Sequence, residues 1–335
     1  MNRKKMIGFV FLCTVVASII SAFIVLGLSS IINNSFISML VNQLLLLLPA
    51  AVYLITSKTN LKKSIRLKKI SPSNIALCVV FAFLIMPLMN LINAISLLFS
   101  QDVIQDTITE IVSSNSLFLS VFVIAFIPCM VEETIFRGVI YNGYRKPNIK
   151  VGILLSAFLF GIMHQNFNQF SYAFAMGIVF ALLIEATDSI VSTMIVHFII
   201  NANSVIMTYM LPKLTKILQD LSSGVEGYDQ LVDTTVTKDA IMSSMGYYIV
   251  SAVIASILAY LVYKTIAQNT SRWQHVKAIF SKNAGTLIEE TDEQEELAEL
   301  EAIEEKGSRV FSLPLIIGIV ICLALMIANE ILASV

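Results

Sequence analysis

The sequence predicts an all-α, polytopic integral membrane protein with about nine transmembrane helices and a cytoplasmic N-terminus. Of its 335 residues, 57% are hydrophobic and only 13% are charged, whereas a soluble domain carries roughly 25% charged residues. Apolar runs of about 20 residues, the length that crosses a bilayer as a helix, recur along the chain. Lysines and arginines concentrate in alternate loops between these runs, as in a multi-pass protein.

Nine apolar segments are predicted to form the helices of this bundle. They are residues 6–32, 36–56, 73–99, 117–140, 150–165, 170–186, 189–209, 245–266 and 311–334. The first is far longer than the roughly 7–15 apolar residues of a signal peptide, so it is predicted to be an uncleaved helix. The fifth and sixth are short, and the polar residues 164–168 separate them.

Basic residues give the orientation of the helices, because Lys and Arg in short loops stay on the cytoplasmic side. The loop 57–70 is strongly basic, whereas the loops 100–116 and 210–244 hold few Lys or Arg. Further basic residues precede the first helix and follow the fourth and the eighth: Arg3, Lys4, Lys5, Arg145, Lys146, Lys150, Arg272, Lys277 and Lys282. This alternation predicts a cytoplasmic N-terminus and an external C-terminus.

Composition also excludes several classes of site and partner. The cysteines lie in apolar runs without CxxC spacing, which argues against disulfides and thiolate metal sites: Cys13, Cys78, Cys129 and Cys322. Nucleic acid is not an expected partner, because no part of the chain forms a basic domain.

The basic loop 57–70 is interpreted as a topology signal rather than a lipid site. His275, in the loop after the eighth helix, is predicted to be an ordinary surface residue.

Two adjacent carboxylates, Glu132 and Glu133, lie inside the apolar run of residues 116–141. A charged side chain at the centre of a membrane helix costs about 2.5–3.5 kcal/mol, so such residues face a bundle interior or a watery cavity and mark function. Arg137 lies four residues after Glu133 on the same helix face and can hold Glu133 ionised. Glu132 then points about 100° away around the helix, free for another partner.

Two histidines, His164 and His197, lie in the fifth and seventh apolar segments. Counted from the cytoplasmic ends of their helices, Glu132, His197 and His164 lie about 15, 12 and 21 Å deep. One cavity in the cytoplasmic half of the membrane can therefore hold all three. Phe160 precedes His164 by four residues and Asn201 follows His197 by four, so each histidine shares a helix face with a neighbour.

A glutamate, two histidines and an amide in one cavity meet the needs of peptide hydrolysis, which are a base for water and donors to an oxyanion. Three sequences in this order on three helices carry the pattern: Glu132-Glu133-x-x-x-Arg137-Gly138, Phe160-x-x-x-His164 and His197-x-x-x-Asn201. They resemble the motifs of the CPBP family, the CAAX-protease and bacteriocin-processing (Abi) intramembrane endopeptidases. The resemblance covers about residues 117–208.

The resemblance implies a peptidase that cleaves inside or beside the membrane, the best-known members acting after a prenylated C-terminal cysteine. It assigns water activation to Glu132 and His164, and the oxyanion hole to His197 and Asn201. The supporting residues are Glu133, Arg137 and Phe160. No cofactor is expected in this mechanism. The expected partners are the lipid bilayer and a membrane-associated peptide or protein, with the chain in the plasma membrane.

The whole chain, residues 1–335, is predicted to be a single transmembrane domain. Residues 1–116 are accessory helices, residues 117–208 the catalytic core, and residues 209–335 C-terminal helices with a charged cytoplasmic loop at about 267–309. Within this loop the acidic tract 286–305 is predicted to be a solvated helix, with a partner-binding tail as the second interpretation.

Other mechanisms and functions stay open at this point. A zinc-dependent version of the same protease would use Glu132, His164 and His197 as ligands. The absence of HExxH excludes the soluble zincin arrangement, and the pairing of a histidine with an amide favours the metal-free mechanism. Serine and aspartate proteases are disfavoured, since no GxSxG sequence and no helical aspartate pair occurs. A transporter with a proton relay and a non-catalytic immunity protein are the non-proteolytic alternatives.

Overall fold

The computed structural model confirms the all-α membrane fold. It describes residues 3–27, 35–57, 60–102, 104–145, 148–221, 237–281 and 310–334. Within these ranges there is no strand, and eight helices are long and apolar enough to cross a membrane, with a ninth, shorter apolar helix at Ile149–Met163. The predicted acidic tract 286–305, Lys146 and Lys282 lie outside the described residues.

Twelve helices occur in the described part of the chain, and nine of them correspond to the nine predicted segments. They are α1 (Arg3–Gly27), α2 (Ser35–Thr56), α3 (Leu61–Ser64), α4 (Pro72–Leu97), α5 (Gln105–Ser114), α6 (Leu117–Tyr144), α7 (Ile149–Met163), α8 (Phe167–Thr187), α9 (Ile190–Leu221), α10 (Lys238–Asn269), α11 (Trp273–Ile279) and α12 (Leu313–Ser334).

Helices α9 and α10 are longer than predicted. Helix α9 extends 12 residues beyond the predicted run 189–209, to Leu221, and α10 extends beyond both ends of the predicted run 245–266. The prediction counted apolar residues, and a helix needs apolar side chains only where it is in contact with lipid. Because a helix satisfies its own backbone hydrogen bonds, it can continue beyond the bilayer with polar side chains. For the same reason the polar helices α5 and α11 were not predicted within the loops that contain them.

Helices α6 to α9 form the centre of the bundle. On one side α1 packs against α2 and α12, and on the other α4 packs against α10 as well as α8 and α9. Helices α7 and α8 approach closely because small residues face each other, as is common between membrane helices. A Cβ atom on Gly177 would lie 2.6 Å from the Cα atom of Ala157, so only glycine fits there.

Helix α6 changes its winding twice along its length. π-helical segments at Phe122–Phe126 and Glu133–Tyr141 flank the α-helical segment Ile127–Glu132. Pro128 carries no N–H, so the Ile124 carbonyl lacks the donor four residues on that an α-helix supplies. Such π-turns often occur at functional sites. Here the second begins between the two adjacent glutamates.

The loops predicted to be cytoplasmic lie together at one end of the bundle. The Tyr144 hydroxyl donates to the Lys4 carbonyl at 3.3 Å, which joins the end of α6 to the N-terminus. Arg66, in the basic loop, pairs with Asp188 after α8 at 2.8 Å. The alternation of loops is therefore present in the fold, and the assignment of this end to the cytoplasm stays a prediction.

Candidate active site

The two adjacent glutamates have different surroundings. Glu133 is fully buried, whereas the side chain of Glu132 is 17% exposed. Arg137 lies 3.3 Å from the Glu133 carboxylate, the ion pair that the i, i+4 spacing predicts. The guanidinium also lies over the rings of Phe160 and Phe180, at 4.2 and 4.9 Å from their centres. Aromatic faces stabilise a desolvated cation, so Arg137 is fixed beside Glu133.

His197 lies between the two glutamates. Its Nδ1 is 3.0 Å from Glu133 Oε1, and its Nε2 is 3.9 Å from Glu132 Oε2. A carboxylate only accepts hydrogen bonds, so Nδ1 carries a hydrogen and donates to Glu133. This bond, which the sequence did not predict, orients the imidazole and points Nε2 at Glu132.

His164 lies at the end of α7 and is half-buried. Its Nδ1 lies 2.8 Å from the Phe160 carbonyl, which can only accept, so Nδ1 donates and Nε2 is left for another group. The Phe160 ring contacts both histidines, at 5.0 Å from the ring centre of His164 and 6.2 Å from that of His197. Asn166 accepts from the Gln169 N–H at 2.8 Å and so caps the start of α8, which begins three residues after His164.

Asn201 lies one turn after His197 on α9 and contacts α6. Its Nδ2 donates to the Ile124 carbonyl at 3.4 Å. Pro128 removes the donor that an α-helix would give this carbonyl, and the asparagine bond joins α9 to α6 at that point. The second Nδ2 hydrogen is available to another acceptor.

Gln43, on α2, also contacts the site, although the sequence analysis did not single it out. Its Nε2 donates to Glu132 Oε1 at 3.4 Å. The predicted site residues thus come from α6, α7 and α9, and an accessory helix adds a fourth element.

The zinc alternative would need Glu132, His164 and His197 to converge on one point. In the described ranges no group of three His, Cys, Asp or Glu side chains is placed so that it could hold a metal ion. Of the candidate ligands, Glu132 and His197 approach each other at 3.9 Å, and the zinc alternative stays a prediction.

A second polar cluster, centred on the fully buried Glu185, lies at the predicted cytoplasmic end of the bundle. Glu185 accepts hydrogen bonds from three side chains: Tyr141 at 2.6 Å, Arg145 at 2.7 and 2.8 Å, and His275 at 2.6 Å. The prediction that His275 is an ordinary surface residue is wrong, since its side chain is only 8% exposed. Helix α11 folds back against the end of α8 and so buries His275.

Asp188, which follows α8, extends this cluster. Burial opposes its ionisation, but Arg66 and Lys68 outweigh burial and hold the pKa of Asp188 below its ordinary value. A carboxyl with a lowered pKa stabilises the fold above its unfolded pKa of about 3.9 and loses this contribution as the pH falls below that value. At neutral pH the contribution is therefore fully present.

Comparison with known proteins places a family match on the same stretch of chain as the site. Residues 114–203 match the family described as type II CAAX prenyl endopeptidase Rce1-like. A protein of Bacillus subtilis (strain 168) named "Putative membrane peptidase YdiL" is 33% identical over 90 residues, which are 27% of this chain and 37% of that protein. The match therefore spans little more than a third of the length of this curated relative. No solved structure matches the chain.

These matches confirm the resemblance to the CPBP family over residues 114–203. The stretch contains every site residue that the motifs predicted, but not Gln43. Together with the apolar helices, they also establish a multi-pass integral membrane protein.

Proposed function

We propose that this chain is an intramembrane endopeptidase that hydrolyses a peptide bond of a membrane-associated protein or peptide. The observation that carries the proposal is the approach of Glu132 to His197, at 3.9 Å, inside a bundle of membrane helices. The pair lies in the stretch similar to the Rce1-like family, and the similar Bacillus protein is named "Putative membrane peptidase YdiL".

Glu132 is assigned the role of general base. Its side chain is partly exposed and so accessible to water, whereas Glu133 is fully buried. His164 holds the same water, because its Nδ1 hydrogen is used by the Phe160 carbonyl and the Nε2 lone pair can accept an O–H. As Glu132 takes one proton, the water oxygen attacks the carbonyl carbon of the peptide bond.

His197 and Asn201 are assigned to the oxyanion that this attack forms. The Nδ1 hydrogen of His197 is used by Glu133, so Nε2 donates only when the ring carries two hydrogens and a positive charge. Asn201 adds its second Nδ2 hydrogen. When the intermediate collapses, Glu132 returns the proton to the leaving amine and is ionised for the next cycle.

The substrate is proposed at the level of a class. CAAX-type processing and maturation of a membrane peptide or bacteriocin both fit a base at this depth, and the plasma membrane is the proposed location. The matching family is described as a CAAX prenyl endopeptidase, so a prenylated CAAX peptide is the first synthetic substrate to test.

Comparison of protein termini tests the proposal. Membrane fractions from cells that produce the wild-type chain or Glu132→Gln are analysed by quantitative terminal proteomics. New termini are expected only with the wild type, and the uncleaved precursors should accumulate with the variant. Identical termini in both samples, with equal amounts of folded protein, would rule out proteolysis by Glu132. A transporter would instead lose solute movement, and a scaffold would be unaffected.

Glu133 and Arg137 offer a test of the supporting roles. Glu133→Gln is expected to destabilise the protein by about 3–5 kcal/mol, because it leaves the Arg137 charge buried without its partner. Glu133→Gln/Arg137→Met removes both charges and should recover most of the stability, yet stay poorly active because His197 has lost its anion. Thermal unfolding in detergent and peptide cleavage per folded molecule measure the two effects. A fully active double variant would show that Glu133 acts only on folding.

Metal dependence separates the favoured mechanism from the zinc alternative. Activity of the purified protein is expected to survive a membrane-permeant chelator, since the pairing of His197 with Asn201 suits an oxyanion hole better than a metal site. Metal analysis of the same sample is the control. Loss of activity on exhaustive chelation, recovery on adding zinc, and one zinc per chain would refute the metal-free mechanism and leave the protease assignment intact.

A further inference from the structure

We propose that Gln43 is a positioning residue for Glu132, so that the accessory helix α2 completes the active site. The proposal rests on the proposed protease function. Gln43 precedes Glu132 by 89 residues and lies outside the matched stretch 114–203. Neither the motifs nor the family match assigns it a role.

Gln43 lies on the face of α2 that packs along α6. The buried residues of α2 share one face at helical spacing: Gln43, Leu46, Ala50 and Leu54. This stripe is apolar apart from the glutamine, and α2 contacts each segment of α6 from Phe122 to Tyr141. An amide buried in an apolar contact costs free energy unless it is hydrogen-bonded, so packing alone does not account for a glutamine there.

The contact with Glu132 explains why a glutamine is buried on this face of α2. Gln43 is only 5% exposed, and its Nε2 donates to Glu132 Oε1 at 3.4 Å. The other carboxylate oxygen, Oε2, faces His197 Nε2. The two oxygens of Glu132 therefore have separate partners on two different helices. This arrangement sets the rotation of the carboxylate plane, and the direction of a base's lone pairs decides whether it can reach a proton.

The second polar atom of the amide points to the same role. Gln43 Oε1 is buried and has no hydrogen-bond partner within the described structure. Such an oxygen is costly to leave unpaired, and it shares a carbon with the nitrogen that contacts Glu132. The amide therefore keeps its nitrogen on Glu132 although its oxygen finds no donor, which favours a role in holding the carboxylate over a role in packing.

Gln43→Met is the sharpest test, because methionine keeps the size of the side chain and removes both hydrogen-bonding groups. The protein is reconstituted in liposomes with an internally quenched peptide that spans a cleavage site found by the comparison of termini. We expect kcat to fall roughly 10- to 100-fold, the effect of losing a hydrogen bond to a charged group, with KM within about twofold.

Two control variants separate positioning from packing. Leu46→Ala opens a cavity on the buried face of α2 one turn away, and Thr14→Val removes a buried polar group of α1 whose hydroxyl donates to the Val10 carbonyl at 2.9 Å. Both are expected to keep kcat per folded molecule near that of the wild type. An equal loss of kcat in Leu46→Ala would mean that α2 acts by packing and would overturn the proposal.

Infrared difference spectroscopy provides a readout that does not depend on turnover. The carboxylate band of Glu132 is identified as the signal that Glu132→Gln removes, and Gln43→Met should shift it, while Thr14→Val should not. If Glu132→Gln abolishes cleavage but Gln43→Met changes neither the band nor kcat, the role of Gln43 is wrong and the protease assignment stands. If Glu132→Gln still cleaves, the protease assignment fails, and the band alone decides whether Gln43 holds Glu132.

Discussion

Glu132→Gln is expected to lower kcat for peptide cleavage by roughly 10²- to 10⁴-fold, the usual contribution of a positioned general base. Glutamine has nearly the size of glutamate, so its contacts with Gln43 and His197 can persist and the fold should be preserved. What it lacks is a basic oxygen that can take a proton from water. Steady-state cleavage of the quenched peptide by reconstituted protein, corrected for the folded fraction, measures the loss.

Two further carboxylate variants make this result specific. Glu132→Asp keeps the charge but withdraws it by one methylene, and a displacement of about 1 Å at a reacting group costs on the order of 10²-fold. Glu330→Gln changes a carboxylate of α12 that accepts from the Gln101 N–H at 3.2 Å, and it should keep full activity. Activity of Glu132→Gln within a few-fold of the wild type would contradict the assigned base.

The membrane helices could be predicted because lipid imposes one rule on every span. Each must be apolar and about 20 residues long, since the bilayer offers no water to its backbone. The same rule fails at helix ends, and this explains why α9 and α10 exceed the predicted runs. The π-helical segments of α6 could not be predicted, because Pro128 removes a donor without specifying how the helix rearranges.

The spacing of residues along one helix predicted pairs within that helix, but it did not predict contacts between helices. The ion pair of Glu133 with Arg137 follows from an i, i+4 relation. The bond from His197 to Glu133 joins residues 64 positions apart, and its register depends on how α6 and α9 pack. The sequence did not indicate that Gln43 belongs to the site, because glutamine is common on helix surfaces. Its burial, which only the structure shows, distinguishes it from those residues.

Glu185 did carry a signal that the sequence analysis overlooked. It lies in the apolar run 170–186, and a carboxylate within a membrane helix marks either function or a strong partner. Its partners come from the end of α6, from the basic loop and from α11, and none of these was considered as a partner of a buried carboxylate. Because these partners are buried with Glu185, we expect the carboxylate to stabilise the folded protein.

Glu185→Ala is expected to destabilise the protein by at least about 3–5 kcal/mol, because it leaves the Arg145 and His275 side chains buried without the anion they share. Glu185→Gln should be milder, since an amide oxygen still accepts a hydrogen bond. Asp188→Asn, at a side chain 23% exposed, should cost about 1 kcal/mol or less. Thermal unfolding in detergent measures the loss of stability in each of the three variants and so tests this order.

This effect should fall on folding and not on chemistry, because the described side-chain hydrogen bonds of Glu185 go to Tyr141, Arg145 and His275 and not to the site residues. Glu185→Ala is therefore expected to lower the yield of folded protein while the folded fraction keeps its kcat. An unfolding free energy within about 1 kcal/mol of the wild type would mean that the cations reach water when the carboxylate is removed. The bond between α8 and α11 would then be dispensable for the bundle, and the burial of His275 would contribute little to stability.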